Sequence, residues 1–531
     1  MRINNMALSY KPVVLVILDG FGIATPGESN AISISQKPFF DKLTNTYPTM
    51  LLEASGVSVG LPWGEVGNSE VGHVNIGAGL LHYQSLPRID KSIEDQSFFE
   101  NPALLKAVQK VKQNDSKLHL IGLIGNGGVH SHQRHFEALI EFCKKHKLKK
   151  HVFLHLFLDG RDTSKDTGLE FLKETLKCCK KSKCGELASV TGRYFGLDRN
   201  KNWDRTQKAY EAIALGKSEK TARDIEKEIE NSYKNNVFDE EFPATVIINK
   251  KNEPIATVQK EDAVIFFNFR ADRAVQLTQV FADPKFKKFE RPFLDGLTFI
   301  TFTEYKKGLP VEVTFPRQTI LNPLAKIFSD AGHKQLHIAE TEKYAHVSYF
   351  LNGQIEEKFE GEDRILIPSP LTDTYVKTPQ MSSNEVTDEI IKNLKTDKYD
   401  FIAVNLANPD MVGHTGDLAA TVKSIEELDK TLERLVTEVL KKQGILFIVG
   451  DHGNAEELIN LQTGKTDKEH SVYPVPFITV SNKHQGRIIQ PIINGDLSTL
   501  TPLGILSDVA PTILAQIDLP PAKEMTGANL L

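Results

Sequence analysis

Three aspartates, three histidines and one serine hold most of the chemistry this sequence can offer: Asp19, Asp410 and Asp451, His414, His452 and His470, and Ser69. Asp410 and His414 stand four residues apart, which brings both to one face of a helical turn. Asp451 and His452 are adjacent and can reach one ion only from a loop, which Gly450 and Gly453 supply. His470 follows in Asp467-Lys468-Glu469-His470. Carboxylate and imidazole without thiolate suit Mn²⁺, with Mg²⁺, Co²⁺ or Zn²⁺ as alternatives, and the set is large enough for two ions. Ser69 lies in the stretch 64–79, GEVGNSEVGHVNIGAG, whose five glycines and missing periodicity read as neither an amphipathic helix nor an alternating strand over its full length. It reads as a loop presenting a hydroxyl. The elbow G-x-S-x-G fails at Val71, and a P-loop fails at Gly464-Lys465-Thr466 because Ile459 stands where its first glycine belongs. A serine without either device needs another activator, and a metal ion that acidifies the hydroxyl is the one these residues provide.

A second set is cationic. Arg161, Arg193, Arg199, Arg270 and Arg273 follow apolar runs in the middle of the chain, and the guanidinium fork suits bidentate capture of phosphate or carboxylate. Pairing with Asp159, Asp162, Asp198, Asp204 or Asp272 accounts for one or two of them as structural bridges.

These residues must be carried by strands. Residues 13–18, 401–406 and 445–449 are apolar, β-branched runs of the kind buried on both faces of a parallel sheet, and each ends just before one of the three aspartates. In an open α/β sheet that edge is where ligands bind. Runs at 118–124, 152–158, 187–190 and 263–269 form a second sheet that leads instead into His130, Arg161-Asp162, Arg193 and Arg270. Helices are expected at 206–214 and 218–234. The architecture is α/β, with one domain split in sequence (1–84 and 317–531) and a second α/β domain (85–316) inserted; proline-containing linkers are expected at 85–88 and 314–317.

The chain has 531 residues, 40% hydrophobic and 25% charged, with a formal net charge of −5, which argues against a nucleic-acid binder. Four cysteines, three of them at 178, 179 and 184, lack zinc-ribbon spacing and are too few for a disulfide scaffold, pointing to a reducing cytoplasm. No apolar run is long enough for a signal segment or a membrane span.

Taken together and in order, Leu18-Asp19-Gly20-Phe21-Gly22, Gly67-Asn68-Ser69-Glu70-Val71-Gly72-His73, Gly127-Gly128-Val129-His130-Ser131-His132, Asp159-Gly160-Arg161-Asp162, Phe269-Arg270-Ala271-Asp272-Arg273, Glu342-Lys343-Tyr344-Ala345-His346, Asn408-Pro409-Asp410-Met411-Val412-Gly413-His414 and Gly450-Asp451-His452-Gly453-Asn454 resemble the cofactor-independent phosphoglycerate mutases, members of the alkaline phosphatase superfamily. The resemblance runs essentially end to end. It implies an alkaline-phosphatase-like split domain in which Asp410, His414 and His470 hold one ion and Asp19, Ser69, Asp451 and His452 another, with Ser69 carrying the phosphoryl group. It also implies that His130, Arg161, Asp162, Arg193, Arg199, Arg270, Arg273 and Lys343 grip the substrate. Asp162 would take the proton of the 2-hydroxyl, and Lys343 would neutralise charge on the transferring group. The implied activity interconverts 3- and 2-phosphoglycerate in glycolysis and gluconeogenesis without a bisphosphoglycerate primer, in a cytoplasmic monomer with no nucleic-acid or membrane partner. Two rival readings share some of these residues: a phosphohydrolase or other phosphomutase, which would not need the five arginines, and a metal-dependent binding protein, which would not need Ser69.

Overall fold

Val13–Leu18 is buried at every residue and sits in the middle of an eight-stranded sheet. Its neighbours are Phe401–Leu406 on one side and Ile445–Gly450 on the other, both parallel to it. Three parallel strands thus end at one edge, where Asp19, the Asn408–Gly413 helix with Asp410, and Asp451-His452 follow. Gln335–Glu340 and Glu362–Ile367 extend the sheet on the Phe401–Leu406 side. On the other side come the antiparallel Val475–Val480 and Thr49–Glu53, and then Gly504–Ile505. The structure, a computed structural model, describes residues 8–460 and 463–531. The described residues form two compact units, one from the chain up to Gln84 together with Gln318–Leu531, the other from Ser85–Arg317.

Helices cover both faces of the first sheet. The longest, Leu418–Lys441, starts where the Asp417 side chain accepts a hydrogen bond from the Ala420 amide, and its Ile425, Leu428, Leu432, Leu435, Val436 and Val439 repeat at helical spacing on the buried face. Asp429 on the same helix accepts from the Phe39 and Phe40 amides and so ties down the start of the Pro38–Thr46 helix.

The stretch around Ser69 differs from its sequence reading: Ser69–Ala78 is a helix, capped by the Asn68 side chain on the Val71 amide. It shows no amphipathic pattern because eight of its ten residues are buried, and a helix covered on all sides has no polar face to alternate with. Its glycines serve close approach. A Cβ at Gly72 would lie 2.6 Å from the Asp451 carbonyl oxygen, and one at Gly77 would lie 1.9 Å from that of Leu351.

The second unit repeats the pattern on a separate eight-stranded sheet, in the order Glu312–Val313, Thr298–Thr301, Ala263–Phe266, Leu118–Leu123, Val152–Leu158, Glu186–Gly192, Thr245–Ile247, Lys220–Ala222. All its pairings are parallel except that of Glu186–Gly192 with Thr245–Ile247. Two expected elements are corrected. The stretch 218–234 is a short strand, Lys220–Ala222, followed by the helix Ile225–Lys234, because the Asp224 side chain caps a new helix start on the Lys227 amide. The stretch 85–88 opens a helix, Ser85–Glu94, since Pro87 falls in the first turn where its missing N–H costs nothing.

Candidate active site

Lys343 stands at the centre of the first unit's strand-end residues. Its Nζ lies 2.6 Å from Asp19 Oδ1, 2.6 Å from Asp410 Oδ2 and 2.8 Å from Ser69 Oγ, and the side chain is buried. Ser69, the first residue of its helix, places Oγ 3.1 Å from Asp19 Oδ1 and 3.0 Å from His452 Nε2. Burial alone would make ionisation costly here, but Lys343 and the carboxylates stabilise one another. Against burial, the ammonium holds Asp19 and Asp410 well below the usual carboxylate range, and Asp19, Asp410 and Asp451 hold Lys343 above the usual lysine range. For His452, too, burial works toward the neutral ring, yet Asp451, Asp19 and Asp410 outweigh it and raise the pKa to about 10.

The histidine tautomers suit a cation. Nδ1 of His414 lies 2.6 Å from the Lys468 carbonyl, that of His470 2.8 Å from the Gly67 carbonyl, and that of His452 3.2 Å from the Gly453 carbonyl. A carbonyl can only accept, so Nδ1 carries the proton in each ring and the neutral form presents its Nε2 lone pair. The Nε2 atoms of His414 and His470 are 3.0 Å apart, and each is 3.2 Å from Asp410 Oδ1. Three electron-rich atoms converging like this need a positive charge among them, whether proton or metal. His452 stacks on His470 with ring centroids 3.9 Å apart, so the two ligand sets expected from the sequence adjoin. Among the described residues, two groups bring three ligand-type atoms within 4.8 Å of one another: Asp410, His452 and His470, and Asp19, His73 and Asp451.

Four residues here escaped the sequence reading as site residues. His73 and Asn405 adjoin Asp451 and Asp19; Asn454 Nδ2 donates to Asp410 Oδ1 at 2.8 Å. Glu456 is buried and accepts from the Gly22 and Asn454 amides at 3.1 and 2.9 Å and from the Ser471 hydroxyl, so it joins the loops that carry Asp19, His452 and His470. Asn405 had a legible signal, a polar residue inside an otherwise apolar strand. His73, four residues after Ser69, would have been legible once that stretch was read as a helix.

In the second unit, His130, Arg161, Asp162, Arg193, Arg199, Arg270 and Arg273 all follow the C-terminal ends of parallel strands. More of the arginines are paired than the one or two expected. Arg193 is buried, its Nη1 2.5 Å from Asp159 Oδ1 and 2.6 Å from Asp162 Oδ2. Arg199 and Arg270 share Asp272, at 2.9 and 3.2 Å, and Arg161 faces Glu240 at 3.4 Å. Arg273 donates to the Leu197 carbonyl at 3.2 Å. His130 lies 3.8 Å from both Asp162 and Asp272, and burial followed by the Arg193 charge lowers its pKa to about 4. A cleft of about 830 Å³ opens beside Arg161 and Asp162, lined also by Asn126, Thr163 and Glu170.

A mostly parallel sheet that delivers carboxylates and imidazoles to one edge, beside a serine hydroxyl at a helix start, in a chain with a second α/β unit between its halves, defines an alkaline-phosphatase-like α/β protein with candidate metal-binding groups. Residues 89–307 match the family model described as BPG-independent PGAM N-terminus, and residues 290–519 match the Sulfatase model. The chain is 47% identical over 525 residues to the 2,3-bisphosphoglycerate-independent phosphoglycerate mutase of Clostridium beijerinckii, covering 99% of each chain. It is 48% identical to that of Clostridium acetobutylicum, covering 98% of this chain and 100% of the other. A crystal structure of Leishmania mexicana phosphoglycerate mutase at low cobalt concentration aligns with a TM-score of 0.53 at 27% identity, over 99% of this chain and 98% of that one. The chain belongs to the 2,3-bisphosphoglycerate-independent phosphoglycerate mutase family. Among the described residues no helix is long and apolar enough to cross a membrane.

Proposed function

We propose that this chain interconverts 3-phosphoglycerate and 2-phosphoglycerate in glycolysis and gluconeogenesis, with Ser69 carrying the phosphoryl group in transit and no bisphosphoglycerate primer. The observation that carries the reading is Ser69 itself. In a chain 47% identical to a relative bearing that name, its hydroxyl lies within 3.1 Å of a carboxylate, an imidazole and an ammonium at the start of a buried helix. The helix N-terminus adds partial positive charge where a phosphoryl group would sit.

The donor set fits two divalent ions, Mn²⁺ in preference to Mg²⁺ or Co²⁺. Asp410, His414 and His470 would hold one, and Asp19, Ser69, Asp451 and His452 the other. Bound ions supply acidity to the serine hydroxyl and neutralise phosphate charge. The remaining work belongs to side chains. Lys343 donates to the transferring phosphoryl oxygens and offsets their charge. Arg161, Arg199 and Arg270 exchange their acidic partners for the carboxylate of glycerate, and Arg273 joins them in holding it. Arg193 fixes Asp162, which accepts the proton of the attacking 2-hydroxyl. His130, neutral near pH 7, donates a hydrogen bond to the substrate. Glycerate that stays bound returns to the phosphoserine it left, which removes the need for a primer. The same reading makes the protein a cytoplasmic monomer acting on a small molecule, without a nucleic-acid partner.

The test is ³¹P NMR of purified, Mn²⁺-loaded protein given 3-phosphoglycerate alone. Growth of the 2-phosphoglycerate resonance is expected. Inorganic phosphate as the sole product would replace this reading with a phosphohydrolase, and an unchanged spectrum would leave a metal-dependent binding protein.

A further inference from the structure

His73 is fully buried in the Ser69–Ala78 helix, and both of its ring nitrogens are committed. Nδ1 lies 2.8 Å from the Ser69 carbonyl and 3.2 Å from Asp451 Oδ2, while Nε2 lies 3.0 Å from Asn405 Nδ2. The carbonyl can only accept, so Nδ1 bears the proton; the amide nitrogen can only donate, so Nε2 is the acceptor. The amide orientation is fixed independently, because Asn405 Nδ2 also donates to Asp19 Oδ2 at 2.6 Å, and a carboxylate oxygen here accepts. Both contacts therefore select the same neutral ring, and that ring has no lone pair to spare. Asp451 Oδ2, buried and without a hydrogen bond of its own, lies against the positive end of the Nδ1–H dipole.

We infer that His73 is a positioning residue: together with Asn405 it orients Asp451 and Asp19, the two carboxylates assigned to one ion, and it is not itself a ligand, although its ring lies among the ligand-type atoms of that group. The inference rests on the metal assignment proposed above. It also says what each nitrogen does. Nδ1–H holds Asp451 and the backbone of Ser69, and Nε2 holds the Asn405 amide that in turn holds Asp19.

Two substitutions separate these tasks. His73→Asn places an amide nitrogen where Nδ1 is, whereas His73→Gln offers an acceptor near Nε2 and nothing at Nδ1. Calorimetric titration of chelator-treated protein with Mn²⁺ should show two ions bound to the wild type. His73→Gln should still bind two, with one of them weakened about 10- to 100-fold, the range found when groups that orient metal ligands are removed. His73→Asn should recover most of that loss. Binding of only one ion by both variants would make His73 a ligand, and unchanged binding by His73→Gln would make it a space-filler; either result overturns the inference. Absence of Mn²⁺ uptake by the wild type would remove the metal assignment, and the inference with it. If the variants do not fold, NMR of ¹⁵N-histidine-labelled wild type loaded with Mg²⁺ reads the tautomer directly: a protonated Nδ1 supports the inference and a protonated Nε2 refutes it.

Discussion

In the first unit the groups past the strand ends are anions and imidazoles gathered around one buried ammonium, with the side chains of Asp19, Asp451 and His452 at 0% exposure and His414 at the rim, 39% exposed. In the second they are guanidiniums, and Arg161, Arg199 and Arg270 are 56%, 45% and 50% exposed. Both use the C-terminal edge of a parallel sheet. The difference lies in what burial demands. Carboxylates withdrawn from water must carry their own cation, so Lys343 is built in and the geometry is fixed in advance. An arginine on the surface gains only about 0 to 1 kcal/mol from its acidic neighbour and can trade it for a ligand at little cost. The histidines do not divide by unit alone. In the first unit the Asp410 carboxylate raises His414 in pKa and, against burial, Asp451, Asp19 and Asp410 raise His452, while burial lowers His337, His346 and His484 there and His119, His130, His132, His135 and His155 in the second unit.

The largest expected effect tests the fixed site. Ser69→Ala should lower mutase turnover by on the order of 10⁴-fold or more while leaving the melting temperature nearly unchanged, because a nucleophile has no substitute and a small hydroxyl contributes little packing. A variant retaining a tenth of the wild-type rate would take Ser69 out of the nucleophile role. Next, Arg193 behaves as a member of the buried class although it belongs to the second unit. Arg193→Met leaves Asp159 without its buried partner and should destabilise by about 3 to 5 kcal/mol, whereas Arg161→Ala should cost about 0.5 kcal/mol or less. Urea titration of both variants measures this, and equal losses would break the distinction drawn from burial.

A smaller change is expected in substrate handling. Arg270→Ala removes one exchangeable, charge-assisted contact and should raise KM about tenfold, with a lesser change in kcat. Steady-state kinetics decide it, and an unchanged KM would remove Arg270 from the substrate pocket. The smallest effect is on pH dependence. His130 and His132 titrate near 4 in the folded protein, mainly because burial disfavours their charged forms, and near the ordinary histidine value of 6.5 when unfolded. Between these values the unfolded chain binds the extra protons, so their contribution is fully present above about pH 6.5 and is lost as pH falls through about 4. Thermal unfolding from pH 7 down to pH 4 should therefore show a falling melting temperature, and His130→Gln should flatten that fall. A slope unaffected by the substitution would place the acid sensitivity elsewhere.

The strands were legible because runs such as Val13–Leu18, wholly apolar and rich in β-branched residues, and Phe401–Leu406, apolar but for Asn405, have few other uses, and each metal-site aspartate follows one. The Ser69 helix was not legible, since its periodicity vanishes when all its sides are covered and Gly72 and Gly77 look like loop residues until Asp451 and Leu351 are seen pressed against them. Lys343 came only through the family motif; nothing in its spacing announces that its ammonium would meet Asp19 and Asp410. The reach of Arg199 to Asp272, across 73 residues of sequence, is likewise a tertiary fact, whereas Arg270 pairs with the same carboxylate from only two residues away.

The position of Val13–Leu18 bears on how the protein is made. Its two sheet neighbours are Phe401–Leu406 and Ile445–Gly450, so a chain emerging N-terminus first leaves both edges of this strand open until synthesis has passed Leu406, and one of them open until it has passed Gly450. Ser85–Arg317, by contrast, contains every partner of its own sheet and can close while the ribosome is still extending the chain. Until Leu406 has been made this wholly apolar segment, Val13–Leu18, presents two open edges to other chains, and until Gly450 one, the condition under which strands recruit the wrong neighbour. Producing this protein therefore places its main demand on whatever shields residues 13–18 during translation.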